Sequence, residues 1–297
     1  CFTGGMSLGF AGLGLFASWW IKSRTNNTEL ASGVFFFFTM ELLQAIQYVF
    51  IATGLDDPVC DTPINKILTL AGFLHICLQP YFCHVINASL TKSCKYKDRY
   101  MIIKRLCLIG GFLLFARYFL TYFPQLNTMD VSNNKSTEWL RGENLCTFKT
   151  KTMVHLGWSV PMADPSYYVM GAGIHSFLMF APFFALYEKK GMILQGMFLF
   201  LFGPVLASFI SSNLQEQASI WCFFSIAQIS IMLFLIRETL IIHWGKNISV
   251  FDAKNKSKPG VVSNEAVTEC KDFKNCEYCR TGIYASKAKK ANQTHTN

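Results

Sequence analysis

Seven stretches of about twenty mainly apolar residues recur along the chain, at 2–21, 30–51, 64–86, 101–123, 167–187, 191–211 and 218–243. Each is long enough for a helix to cross a hydrocarbon layer of roughly 30 Å. Backbone groups have no water to pair with in lipid, so a spanning segment must be a helix or part of a closed barrel, and continuous rather than alternating apolar runs indicate helices. The composition points the same way. Hydrophobic residues make up 52% of 297 and charged residues 15%, with 28 Phe, which is more apolar surface than one buried core of this size needs. Disordered chains, collagen, small disulfide scaffolds and soluble α/β or barrel enzymes are excluded on the same grounds. The expected fold is an all-α integral membrane bundle of seven transmembrane helices. The first stretch lacks a basic segment before it and is read as a retained span, not a signal peptide.

Orientation follows from the loops, since cytoplasmic loops carry excess Lys and Arg. Lys22 and Arg24, the group Lys92, Lys95, Lys97, Arg99, Lys104 and Arg105, the pair Lys189 and Lys190, and ten more from Lys246 onward fall on one face, twenty in all. The opposite face has five: Lys66, Lys135, Arg141, Lys149 and Lys151. The amino terminus is therefore expected outside and the tail inside. The net charge of +9 is a property of the inner face, suited to anionic lipid. A nucleic-acid partner is not expected, because no basic stripe sits on a folded module. The division reads as a spanning bundle over 1–245, with an outer loop at 124–165, and a basic, largely disordered tail over 246–297.

Ionisable groups within spans are costly and are functional candidates by default. Glu41 lies near the middle of the second span, with Gln44 three residues on and Gln47 six on, sharing roughly one helical face. His75 and Gln79, just before Pro80 in the third span, are expected to face it. The set reads either as a ligand-binding pocket or as a hydrogen-bonded knot that holds helices together. A second group falls near the outer ends of spans: Cys1, Asp61, Arg117, His155, Asp164, His175, Asn213 and Glu216. These either line an outward vestibule, with Arg117 holding an anionic headgroup, or are solvated span ends.

An N-terminal Cys1 carries an amine and a thiol that can act as base and nucleophile, with His155 or His175 as an alternative base. A truncated or acylated terminus explains it equally well. Cys60 and Cys146 are the two cysteines in the middle of outer loops and form an available disulfide if that face is oxidising. Asn134 heads the outer sequon Asn134-Lys135-Ser136 and is the glycosylation candidate. The tail cysteines Cys270, Cys276 and Cys279 lack a nearby fourth ligand, and no His pair has metal-binding spacing, so neither a metal nor a cofactor is named. Asp98-Arg99-Tyr100 looks like the receptor triplet of seven-helix receptors, but it opens the fourth span instead of closing the third.

Cys1-Phe2-Thr3, then Met40-Glu41-Leu42-Leu43-Gln44, Ile64-Asn65-Lys66 and Leu74-His75-Ile76-Cys77-Leu78-Gln79-Pro80, resembles an uncharacterised family of polytopic membrane proteins from bacteria, eukaryotes and large DNA viruses that opens Met-Cys-Phe-Ser. Loss of that Met would leave Cys1 first, and Thr3 keeps the hydroxyl of the family's Ser. The likeness runs from Cys1 to about His243, omits the tail, and implies a fold and a membrane location but no activity. The expected function is to bind or move a small polar or lipid-like ligand through a polar site in the bundle. The alternative is a membrane-embedded hydrolase or acyl transferase with Cys1 as nucleophile.

Overall fold

The computed structural model describes residues 3–25, 27–91, 94–123, 138–150, 155–163, 172–186 and 190–248. They are mostly helical. In chain order come α1 (Gly4–Thr25), α2 (Thr28–Gln47), α3 (Pro63–Leu90), α4 (Cys94–Leu120), strands β1 (Cys146–Lys149) and β2 (Leu156–Ser159), α5 (Ala172–Ala185), α6 (Lys190–Phe200), α7 (Leu206–Ile210) and α8 (Leu214–Ile248). A widened π-helical turn, Leu201–Val205, joins α6 to α7.

Among the described residues five helical segments are long and apolar enough to cross a membrane: Gly4–Arg24, Thr28–Gln47, Pro63–Leu90, Gly191–Ile210 and Leu214–Phe234. The other two expected spans differ for separate reasons. The 27 residues of α4 include Lys97, Arg99, Lys104, Arg105 and Arg117, too many charges for a fully apolar span. The apolar α5 has only 14 residues, and the segment before it lies outside the described residues. The bundle wears large apolar side chains on its outside, among them Leu8, Phe16, Trp19, Ile109, Phe112, Phe209 and Phe234, a surface that water would penalise.

Helices meet where a side chain is missing. A Cβ on Gly14 of α1 would stand 1.9 Å from Phe38 of α2, and one on Gly111 of α4 would stand 2.4 Å from the Cys77 carbonyl of α3. Small residues thus let these backbones approach, as is usual between helices in lipid. Asn27 caps α2 by accepting from Leu30 N at 3.0 Å, and its amide donates to Ser89 O near the end of α3 at 3.4 Å. One residue therefore both starts a helix and ties the α1–α2 corner to a third.

Three prolines inside helices remove backbone donors, and each loss is made good. Pro80 in α3 cannot donate to the carbonyl four residues back, that of Ile76; His175 Nε2 of α5 donates to it at 2.8 Å. Pro182 in α5 frees Leu178 O in the same way, and His84 Nε2 of α3 donates to that at 2.8 Å. The two helices exchange histidines for each other's prolines. Pro204 falls within the π turn, whose i→i+5 pairing lets the residue after a proline take the carbonyl the proline cannot.

The departure from an all-helical chain is the β ribbon. The strands pair antiparallel, with Thr147 opposite Trp158, and every residue of β2 is buried. The strand β2 packs against α8, and Trp158 and Leu156 join the apolar cluster with Met40, Phe73 and Ala218. Asn65 of α3 grips it like a third strand: Oδ1 accepts from Thr147 N at 2.9 Å and Nδ2 donates to Thr147 O at 2.8 Å. Cys60 and Cys146 are joined as a disulfide, across 86 residues of sequence, and Trp158 Nε1 donates to Gln47 Oε1 of α2 at 3.2 Å.

Candidate functional site

Polar residues within the helices fall into four groups. The first surrounds Glu41, which is fully buried with Gln44 on α2. Its neighbours are Ser7 of α1, Tyr48 at the end of α2, and Cys222 of α8. Gln79 Nε2 of α3 donates to Cys222 Sγ at 3.6 Å, so four helices contribute to one buried polar chain. His75, expected opposite Glu41, is turned elsewhere. Its Nε2 donates to Phe36 O at 2.8 Å and lies 3.3 Å from Thr39 Oγ1, and its ring stacks on Phe36 with centroids 3.9 Å apart. Phe36, three positions before Thr39, offers the ring a flat face, a pairing that helical spacing alone does not reveal.

The second group surrounds Arg117, completely buried in the last turn of α4. Nη1 and Nη2 donate to the two Glu138 carboxylate oxygens at 2.6 and 2.7 Å, and Nε donates to Ala163 O at 2.8 Å. This forked pairing matches guanidinium and carboxylate geometry. Arg117, expected to hold an anionic headgroup, has its charge met within the chain by Glu138. Gln79, Glu138, His175 and Cys222, with Trp139 and Met162 among the apolar neighbours, line a cavity of about 20 Å³, room for roughly one water. His175, expected as a base, serves the carbonyl left by Pro80.

The third group fastens β2 to α8. Ser219 Oγ lies 2.8 Å from His155 Nδ1 and donates to Glu216 O at 2.9 Å. Glu216 accepts from Thr150 Oγ1 through one oxygen and from Ser211 Oγ at 2.7 Å through the other. A serine beside a histidine and a glutamate invites a hydrolase reading, but Ser219, His155 and Glu216 are all fully buried, and the acid binds Thr150 and Ser211. Burial holds the His155 imidazole down, at a pKa of about 4, so it stays neutral at physiological pH. The group works as a clamp. Cys1 and Asn134 lie outside the described residues.

Sequence reasoning passed over the fourth group because it contains no charge. An apolar cavity of about 530 Å³ lies between α2, α3, α5, α6 and α8, lined mostly by Leu, Phe, Ile and Met with Asn87, Gln195, Ser225 and Gln228 set among them. Part of its wall is exposed: Leu194, Met197, Leu201, Phe202 and Ile231 are between 44% and 68% accessible. The cavity thus borders the apolar outside of the bundle. Its size falls within the roughly 300–1,000 Å³ of ligand pockets. The signal in the sequence was present as amides spaced within apolar helices, at Asn87, Gln195 and Gln228.

A family model described as a family of unknown function, DUF5765, matches residues 5–241. The match covers more than half of the chain, which therefore belongs to that family. No curated protein and no solved structure matches it.

Proposed function

We propose that this family member is a seven-span membrane protein, amino terminus outside and tail inside, that binds a lipid-like ligand in the apolar cavity bordered by α3, α6 and α8. The observation that carries the reading is the cavity itself, about 530 Å³ with a nearly all-apolar lining and a rim of exposed apolar side chains. A ligand dissolved in the bilayer reaches such a site sideways without crossing water. The expected polar sites are less suitable. The space beside Gln79, Glu138 and His175 holds about one water, and Arg117 and Glu216 are already engaged by the chain's own groups.

In this reading α4 and α5 complete the seven spans. At 1.5 Å per residue α4 is about 40 Å long, enough to place its basic start at the inner surface and Arg117 at the outer end. The twenty basic residues of the inner face meet anionic lipid there.

The test is native mass spectrometry of the full chain released from mild detergent. A bound species of lipid mass is expected, and Ser225→Trp, which fills the cavity, should abolish it while leaving the thermal transition cooperative. A wild-type chain with no bound species, or the same species on the filled variant, overturns the proposal.

A further inference from the structure

Two residues that line the cavity each have a buried amide oxygen without a donor. His84 Nε2 lies 2.8 Å from Leu178 O, so that nitrogen must carry the ring proton and Nδ1 must be the lone-pair side. The amide of Asn87 therefore donates through Nδ2 to Nδ1, at 3.2 Å, and its orientation is set by chemistry. Its Oδ1 is left buried without a partner. Gln228 repeats the pattern: Nε2 donates to Phe198 O at 3.4 Å, and Oε1 has none. The two residues are 1% and 3% exposed, and both line the cavity.

A buried carbonyl oxygen without a donor costs free energy that a bound donor recovers. The lining determines which kind of donor. Among the described residues no charged side chain lines the cavity. A carboxylate or phosphate would meet two acceptor oxygens and no cation, and an ammonium would lose its hydration with no acid in return. A neutral O–H fits both conditions.

Resting on the lipid-binding reading above, we propose that the cavity selects a lipid with a free hydroxyl group. The O–H donates to Asn87 Oδ1 or Gln228 Oε1, and the hydrocarbon lies along Leu194, Phe198, Ile229 and Met232.

The experiment uses the full chain in detergent and two photoactivatable probes, a long-chain alcohol carrying a diazirine and its methyl ether. The probes differ by one donor. The alcohol should label peptides covering 191–202 and 225–232, and the ether should need roughly five- to tenfold more probe for equal labelling, the scale of one net hydrogen bond. Asn87→Leu and Gln228→Leu should each move the alcohol towards the ether and leave the ether unchanged. Equal labelling of the wild type by both probes overturns hydroxyl recognition and leaves the cavity as an unselective lipid site, its acceptors met by water. No cavity labelling by either probe overturns the lipid-binding reading as well. If a variant does not fold, the comparison of alcohol with ether on the wild type decides alone.

Discussion

Arg117 and Glu138 illustrate how a charge survives where water is scarce. The ion pair is forked, the third guanidinium donor meets Ala163 O, and both partners are more than nine-tenths buried. Removing one partner leaves the other charged and buried, which costs about 3–5 kcal/mol, whereas replacing both with apolar groups is often nearly neutral. Arg117→Met should therefore lower the thermal transition more than the double variant Arg117→Met with Glu138→Leu, and additive losses would refute the pairing. The same logic applies at His175. His175→Leu strands the Ile76 carbonyl that Pro80 cannot serve, at a cost of about 1–3 kcal/mol. In a Pro80→Ala background the backbone supplies its own donor, so the His175→Leu penalty should shrink to near zero. An equal penalty in both backgrounds would show that the ring acts by packing alone. At Glu41 the buried chain of Ser7, Cys222 and Gln79 favours a structural role. Glu41→Gln should match the wild type in unfolding assays, while Glu41→Leu should lose about 0.6–1.7 kcal/mol, the range of interhelical polar contacts.

At the scale of elements, the β ribbon behaves as a lid held by polar clamps. Asn65 binds the Thr147 backbone at both ends, Trp158 binds Gln47, and the Ser219–His155 contact joins β2 to α8. His155 gives this lid a pH dependence of definite sign. Its folded pKa, held near 4 by burial, is below the ordinary value of about 6.5. Above about 6.5 the ring is neutral whether the ribbon is docked or free. Between about 6.5 and 4 only the free ribbon takes up a proton, so docking weakens as pH falls, by up to about 3 kcal/mol across that interval. Amide exchange in residues 146–159 should therefore quicken between pH 6.5 and 4 relative to the helices, once intrinsic rates are corrected. His155→Asn should flatten that response, and a profile unchanged by the substitution would remove His155 from the lid's pH dependence.

Across the whole molecule, the helical character was legible from the apolar runs, because lipid leaves a backbone few ways to pair its own groups. Five of those runs appear directly as helices fit to span. Glu41, Gln44, Gln79, Arg117 and His175 also stand out in the sequence, since a polar side chain in an apolar run must be matched by something. Their partners were not legible. Which carboxylate meets Arg117, 21 residues away, or which carbonyl meets His175, 99 residues away, depends on how helices distant in sequence come to lie together. Periodicity describes a helix's faces but not its neighbours. The ribbon escaped notice for a related reason: four residues of β1 and four of β2 carry little pattern of their own, and the ribbon is held by Asn65, Cys60 and Gln47 from outside the loop. Apolar helices with polar groups that need partners follow from the order of residues along the chain, because lipid leaves the backbone few other ways to pair. How distant helices pack is what makes most of those groups satisfy one another, and it also sets Asn87 and Gln228, each with an amide oxygen lacking a donor, in the lining of a cavity.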